Sequence, residues 1–189
     1  MADREREKKK KRAYLDDFEK DLNGNYQYRG AHYRYAGEHP HSRVLALLWL
    51  FCGGGAALTV GAGALPGATA HAPVYLLLPY MAEVGLTGSI VWAMTRWQAR
   101  EYPMRAYVYK ATVKALPGRC MAEAVLAGAG AAAEVVYLLL SGAGGHGFMA
   151  ALYLLLKAVS VAAALFARRL VRQSRWEPAE GNGEITTES

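Results

Sequence analysis

Apolar residues in this chain are segregated rather than dispersed, and that constrains its fold more than anything else. Between residues 44 and 171 they gather into four long runs rich in Gly and Ala, at about 44–65, 74–97, 119–141 and 147–171. Residues 1–43 and 172–189 are polar. At about 1.5 Å per helical residue, each run is long enough to cross roughly 30 Å of hydrocarbon. A soluble domain interleaves its apolar residues with the 20% that are charged; here the two are kept apart. The expected fold is an all-α integral membrane protein.

The connections refine this to a four-helix transmembrane bundle of two antiparallel hairpins. Runs one and two are joined by 66–73 (PGATAHAP) and runs three and four by 142–146 (GAGGH), both short and free of Lys and Arg. Apart from Lys157, which lies within the fourth run, every Lys and Arg falls before the first run, in the 96–119 region, or at and beyond the end of the last run. The positive-inside rule then predicts a cell-membrane protein with both termini and the middle connection in the cytosol. The basic start, MADREREKKKKR, leads into charged sequence instead of an apolar signal region, so the first run is expected to act as an uncleaved insertion signal. The four tryptophans near the cytosolic ends, with Tyr75 and Tyr137 near the outer ends, fit interfacial aromatic belts.

The flanking segments read as small cytosolic structures. Residues 13–22 suit a short surface helix, and 26–35 (YQYRGAHYRY) has the alternation of a β-hairpin. Residues 102–116, within the 98–118 connection, suit a strand or an amphipathic helix, and the acidic tail of 172–189 is expected to be disordered. At an offset of 76, Tyr26, Arg29, Tyr33 and Arg43 match Tyr102, Arg105, Tyr109 and Arg119, the pattern of an internal duplication.

Charges at bilayer depth each need an account, because a bare one there costs several kcal/mol. Glu83, Glu134 and Lys157 are deep; Glu123 and Arg168 lie nearer the cytosol. Glu123, Ala127, Gly130 and Glu134 share one face of the third helix, and Lys157, Ser160, Ala164 and Arg168 one face of the fourth. A single antiparallel register, centred in the 142–146 loop, opposes Glu134 to Lys157 and Glu123 to Arg168. Two ion pairs zipping these helices are therefore expected. Glu83 is left over, beside the break at Pro79 and with Tyr80 and Thr87 on its face; it reads either as a proton or cation site or as a neutral, hydrogen-bonded structural group. In the first helix, Gly53, Ala57 and Gly61 form a small-xxx-small association face, and Gly55, Thr59 and Gly63 form another.

Other chemistry finds little footing. The Gly53–Gly55 run lies inside an apolar helix and lacks the Lys-Ser/Thr of a phosphate loop, no serine sits in a nucleophile motif, and His39 and His41 lack further ligands for a metal. Cys52 and Cys120 read as packing residues. No cofactor and no nucleic-acid partner is expected, and the basic N-terminus is expected to bind anionic lipid. Two functions remain. The first is a non-enzymatic accessory or scaffold subunit that assembles with a membrane protein or with itself, docking through 26–35 and 102–116. The second is a small oligomeric transporter or channel using Glu83 and the Glu134/Lys157 pair.

Overall fold

The computed structural model describes residues 18–20, 26–28, 30–65, 73–99, 103–141 and 147–179. Four helices are long and apolar enough to cross a membrane. In chain order the elements are β1 (Phe18–Lys20), β2 (Tyr26–Tyr28), β3 (His32–Tyr35), α1 (His41–Gly63), α2 (Val74–Gln98), β4 (Met104–Arg105), α3 (Ala106–Ala111), α4 (Leu116–Ser141), α5 (Gly147–Gln173) and β5 (Trp176–Ala179). The long helices agree with the sequence expectation to within a few residues.

Proline sets three of the four starts. Pro40 and Pro73 stand immediately before α1 and α2, and their carbonyls accept the first backbone bonds, from Arg43 and Val44 and from Leu76 and Leu77. Proline's fixed φ suits that position, and it has no N–H to leave unsatisfied. Pro117 occupies the same kind of place in the first turn of α4. The helices pack as a ring, α1 against α2, α2 against α4, α4 against α5, and α5 against α1. Outward positions carry large apolar residues such as Leu78, Leu139, Phe148, Leu155 and Phe166, as a lipid-facing surface requires.

A small sheet caps one end of the bundle, in the order β4-β3-β5. β3 pairs antiparallel with β4 (His32 opposite Arg105) and with β5 (His32 opposite Ala179, Tyr35 opposite Trp176). The segments that precede α1, separate α2 from α4 and follow α5 are thus gathered together. Beneath the sheet lies an apolar core formed by Leu48, Met94, Trp97, Met104, Val108, Leu116 and Val171 with their neighbours. Aromatic rings join sheet to helices. Tyr33 stacks on Tyr109 with centroids 4.3 Å apart, and Trp176 meets Tyr35, His41, Trp97 and Tyr109 at 5.5 to 6.2 Å. Trp97 Nε1 donates to His41 Nε2 at 3.2 Å.

The cap corrects several expectations. Residues 26–35 do not form a hairpin on themselves: β2 pairs with β1, while β3 pairs with strands from the middle and end of the chain. Alternation marks a strand without naming its partner. Residues 18–20, expected within a surface helix, are strand, and the rest of 13–22 lies outside the described residues. Residues 176–179 of the tail are a strand instead of disordered, because β3 offers them an open edge; 180–189 lie outside the described residues. The 102–116 segment divides into β4 and α3. Tyr33 and Tyr109, equivalent under the offset of 76, do meet, but one sits in a strand and the other in a helix. Trp97 is only 1% exposed, so it belongs to the core and not to an interfacial belt.

Trp176→Ala removes the ring that ties β5 to both helices and sheet. With four ring contacts worth roughly 0.5–1.5 kcal/mol each, tryptic cleavage at Arg175 is expected to accelerate by about a hundredfold or more, with helix content unchanged by circular dichroism.

Candidate functional site

Midway along the bundle, Lys157 of α5 forms an ion pair with Glu83 of α2, and both side chains are fully buried. The other oxygen of Glu83 accepts a hydrogen bond from Thr59 Oγ1 of α1 at 3.1 Å. The Lys157 ammonium also lies over the Tyr80 and Tyr153 rings, 5.2 and 5.3 Å from their centroids. Helix α4 contributes closeness instead of a charge. A methyl group added at Gly130 would stand 3.5 Å from Tyr153 Oη and 3.7 Å from Lys157 Cε, so only a small residue lets that backbone approach. All four helices therefore converge on one pair of opposite charges. A carboxylate and two ring faces replace the hydration that the ammonium gives up, and the Thr59 hydroxyl does the same for the carboxylate.

This overturns the expected zipper of α4 and α5. Glu134 does not pair with Lys157, and Glu123 does not pair with Arg168. The register argument treated α4 and α5 as an isolated hairpin, whereas in a four-membered ring the centre is shared with the helix diagonally opposite. Lysine is long enough to span that diagonal, and Glu83 stands at the matching depth. Glu134 is buried near Tyr153 and takes part in no ion pair among the described residues. Glu123 accepts a hydrogen bond from Thr87 Oγ1 of α2 at 2.6 Å. Arg168 directs its Nη1 to Met121 Sδ at 3.2 Å, and Arg119 gives its Nη1 to the Ser89 carbonyl at 2.8 Å.

Around Glu123 a second polar layer surrounds a small cavity of about 20 Å³, lined from all four helices by Cys52, Thr87, Cys120, Glu123 and Ser160 among others. The free thiols of Cys52 and Cys120, from α1 and α4, are buried side by side on this cavity. Their meeting could not be foreseen, since nothing in their spacing signals it. Thr59 and Tyr153 were also missed as partners of the ion pair. Tyr153 did leave a trace: it precedes Lys157 by one helical turn and so shares its face.

The two small-residue faces of α1 have different fates. Gly55, Thr59 and Gly63 point inward: a methyl group at Gly55 would rest against Ala163, and one at Gly63 would overlap the Tyr80 hydroxyl. Ala57 and Gly61 point outward and are exposed, with Gly53 half-buried beside the Trp49 ring. His71 and His146 lie outside the described residues, and no cluster of metal ligands occurs among those described. Comparison with protein-family models, with curated proteins and with solved structures gives no match for this chain.

Lys157→Met is expected to lower stability by about 3–5 kcal/mol, because it strands a buried carboxylate, and Glu83→Gln in the same chain should recover much of that loss. Glu134→Gln should recover none. Thermal unfolding in detergent of the single and double variants measures both. Gly63→Ala should also destabilise, by about 1–3 kcal/mol, since Tyr80 must leave the ammonium to admit the methyl.

Proposed function

We propose that the chain is a non-enzymatic accessory or scaffold subunit of a membrane complex, joined to its partner through the outward face of α1. It is read as a cell-membrane bundle of two antiparallel hairpins, with the capped end and both termini in the cytosol. The distribution of Lys and Arg supports that orientation, and the gathering of three connecting segments in one sheet supports the hairpins.

The split between the two faces of α1 carries the functional reading. One small-residue face brings α1 against Ala163 and Tyr80 within the bundle. The other, from Gly53 through Ala57 and Gly61 to Ala64, presents the same kind of surface outward. Lipid chains gain nothing from glycine, whereas the backbone of a second helix gains close van der Waals contact. The rest of the outer surface mixes large residues such as Leu78, Val136 and Phe166 with scattered small ones, among them Gly85 and Gly88 of α2 and Gly128 of α4. The partner is accordingly a transmembrane helix of a larger protein.

Two further features support this reading over transport. Glu83 and Lys157 are closed on each other with no exposed surface. The tyrosines of 26–35 and 102–116, first read as docking residues, are largely engaged with one another: Tyr33, Tyr35 and Tyr109 hold the cap together. Docking accordingly moves to α1, while the basic stretch 4–12, outside the described residues, keeps its reading as an anchor to anionic lipid.

Gly61 provides the test, because a side chain added there meets nothing within 4 Å in the monomer. Gly61→Leu is expected to leave the melting temperature unchanged or slightly raised, yet to abolish stoichiometric co-purification of the partner from native membranes in mild detergent. A complex that survives Gly61→Leu and Ala57→Leu together would sink the proposal; a Gly61-dependent complex containing only this chain would replace it with a homo-oligomer.

A further inference from the structure

We infer that the cavity around Glu123 is a binding site for one monovalent cation of about sodium size, held by Glu123, Ser160 and Thr87. The inference rests on unmatched polar atoms. Glu123 Oε2 and Ser160 Oγ have no hydrogen-bond partner among the described residues, although their residues are only 6% and 2% exposed, and both residues line the same cavity. An unsatisfied polar atom at such depth costs about 1–3 kcal/mol, and two of them sharing one space point to a common ligand.

Charge selects the ligand's valence. The Glu83 carboxylate is matched by Lys157. Glu123 forms no ion pair among the described residues: Arg119 and Arg168 direct Nη1 to Ser89 and Met121, and Arg168 Nε, also buried and unpartnered among those residues, does not reach the carboxylate. One positive charge in the cavity makes the whole layer neutral in a medium where an unmatched carboxylate is expensive. A divalent ion would leave an excess charge and would require more anionic oxygens than are present.

Size and donor type select the ion. About 20 Å³ accommodates a body of roughly one water molecule. The Thr87 hydroxyl gives its hydrogen to Glu123 Oε1, which leaves its oxygen lone pairs free to coordinate. With the Glu123 carboxylate and the Ser160 hydroxyl, the oxygen set is hard and small. The remaining lining is apolar apart from the free Cys52 and Cys120 thiols, which are soft and poor ligands for such an ion.

The test is thermal unfolding of the purified full-length protein in sodium, potassium or choline chloride at constant ionic strength and fixed pH. Sodium at a hundredfold over its Kd is expected to raise the melting temperature by about 5 °C relative to choline. Glu123→Gln and Ser160→Ala should each remove the sodium-specific increment. Ser160→Ala, a small change that keeps the carboxylate, keeps the test decisive if Glu123→Gln fails to fold. Equal melting temperatures in sodium and choline, dependence on pH alone, or a sodium increment that survives Ser160→Ala would each overturn the site. Gly61→Leu should leave the sodium increment intact, so this result and that of the α1 interface can be told apart.

Discussion

One fully buried lysine sets the terms for the rest of this molecule. Water cannot reach Lys157, so its charge must be met by protein, and meeting it draws on Glu83 opposite, Thr59 behind the carboxylate and two tyrosine rings. Lipid offers helices little hydrophobic reason to associate, since the tails are as apolar as the side chains they surround. A buried charge pair supplies what apolar packing alone does not, a reason for one particular arrangement of the four helices. Glycine and alanine follow from it. Gly55, Gly63 and Gly130 let backbones come near enough for side chains on diagonal helices to touch.

The bundle and the cap are stabilised in different ways. Within the membrane segment the contacts are small residues, hydroxyls and ions. At the capped end they are large and aromatic, with Trp97, Trp176, Tyr33 and Tyr109 filling the space beneath a three-stranded sheet. Burial of apolar area is a driving force wherever water reaches a chain, and large rings bury the most of it. This also explains why both edges of β3 are occupied: in water an open strand edge is a site for unwanted pairing, and β4 and β5 close it.

Helix number, extent and charge burial were legible in the sequence because they depend on runs of residues and on a one-dimensional count. Which charges meet was not. The stripes on α4 and α5 were read correctly as inward-facing, and Glu123, Glu134, Lys157 and Ser160 are all buried. The pairing failed because a register argument compares neighbours in sequence, while the centre of a ring belongs to diagonal elements as well. Glu83, set aside as unpaired, was the missing partner. The cap failed for a related reason. Tyrosine alternation announced strands at 26–28 and 32–35, but strand partners lie wherever the helices bring them, and β5 carries only four residues, one of them proline.

β3 leaves the ribosome before any of the long helices, yet its two neighbours are made much later, one between the second and third spans and the other after the fourth. While the four long helices are being made, β3 stands unfilled on one side. Closure waits for β5, which follows α5 and joins β3 across the finished ring. A copy stalled after α5 would hold all four long helices and still be recognisably unfinished, with one bare edge of β3 displayed to the quality-control machinery of the cell.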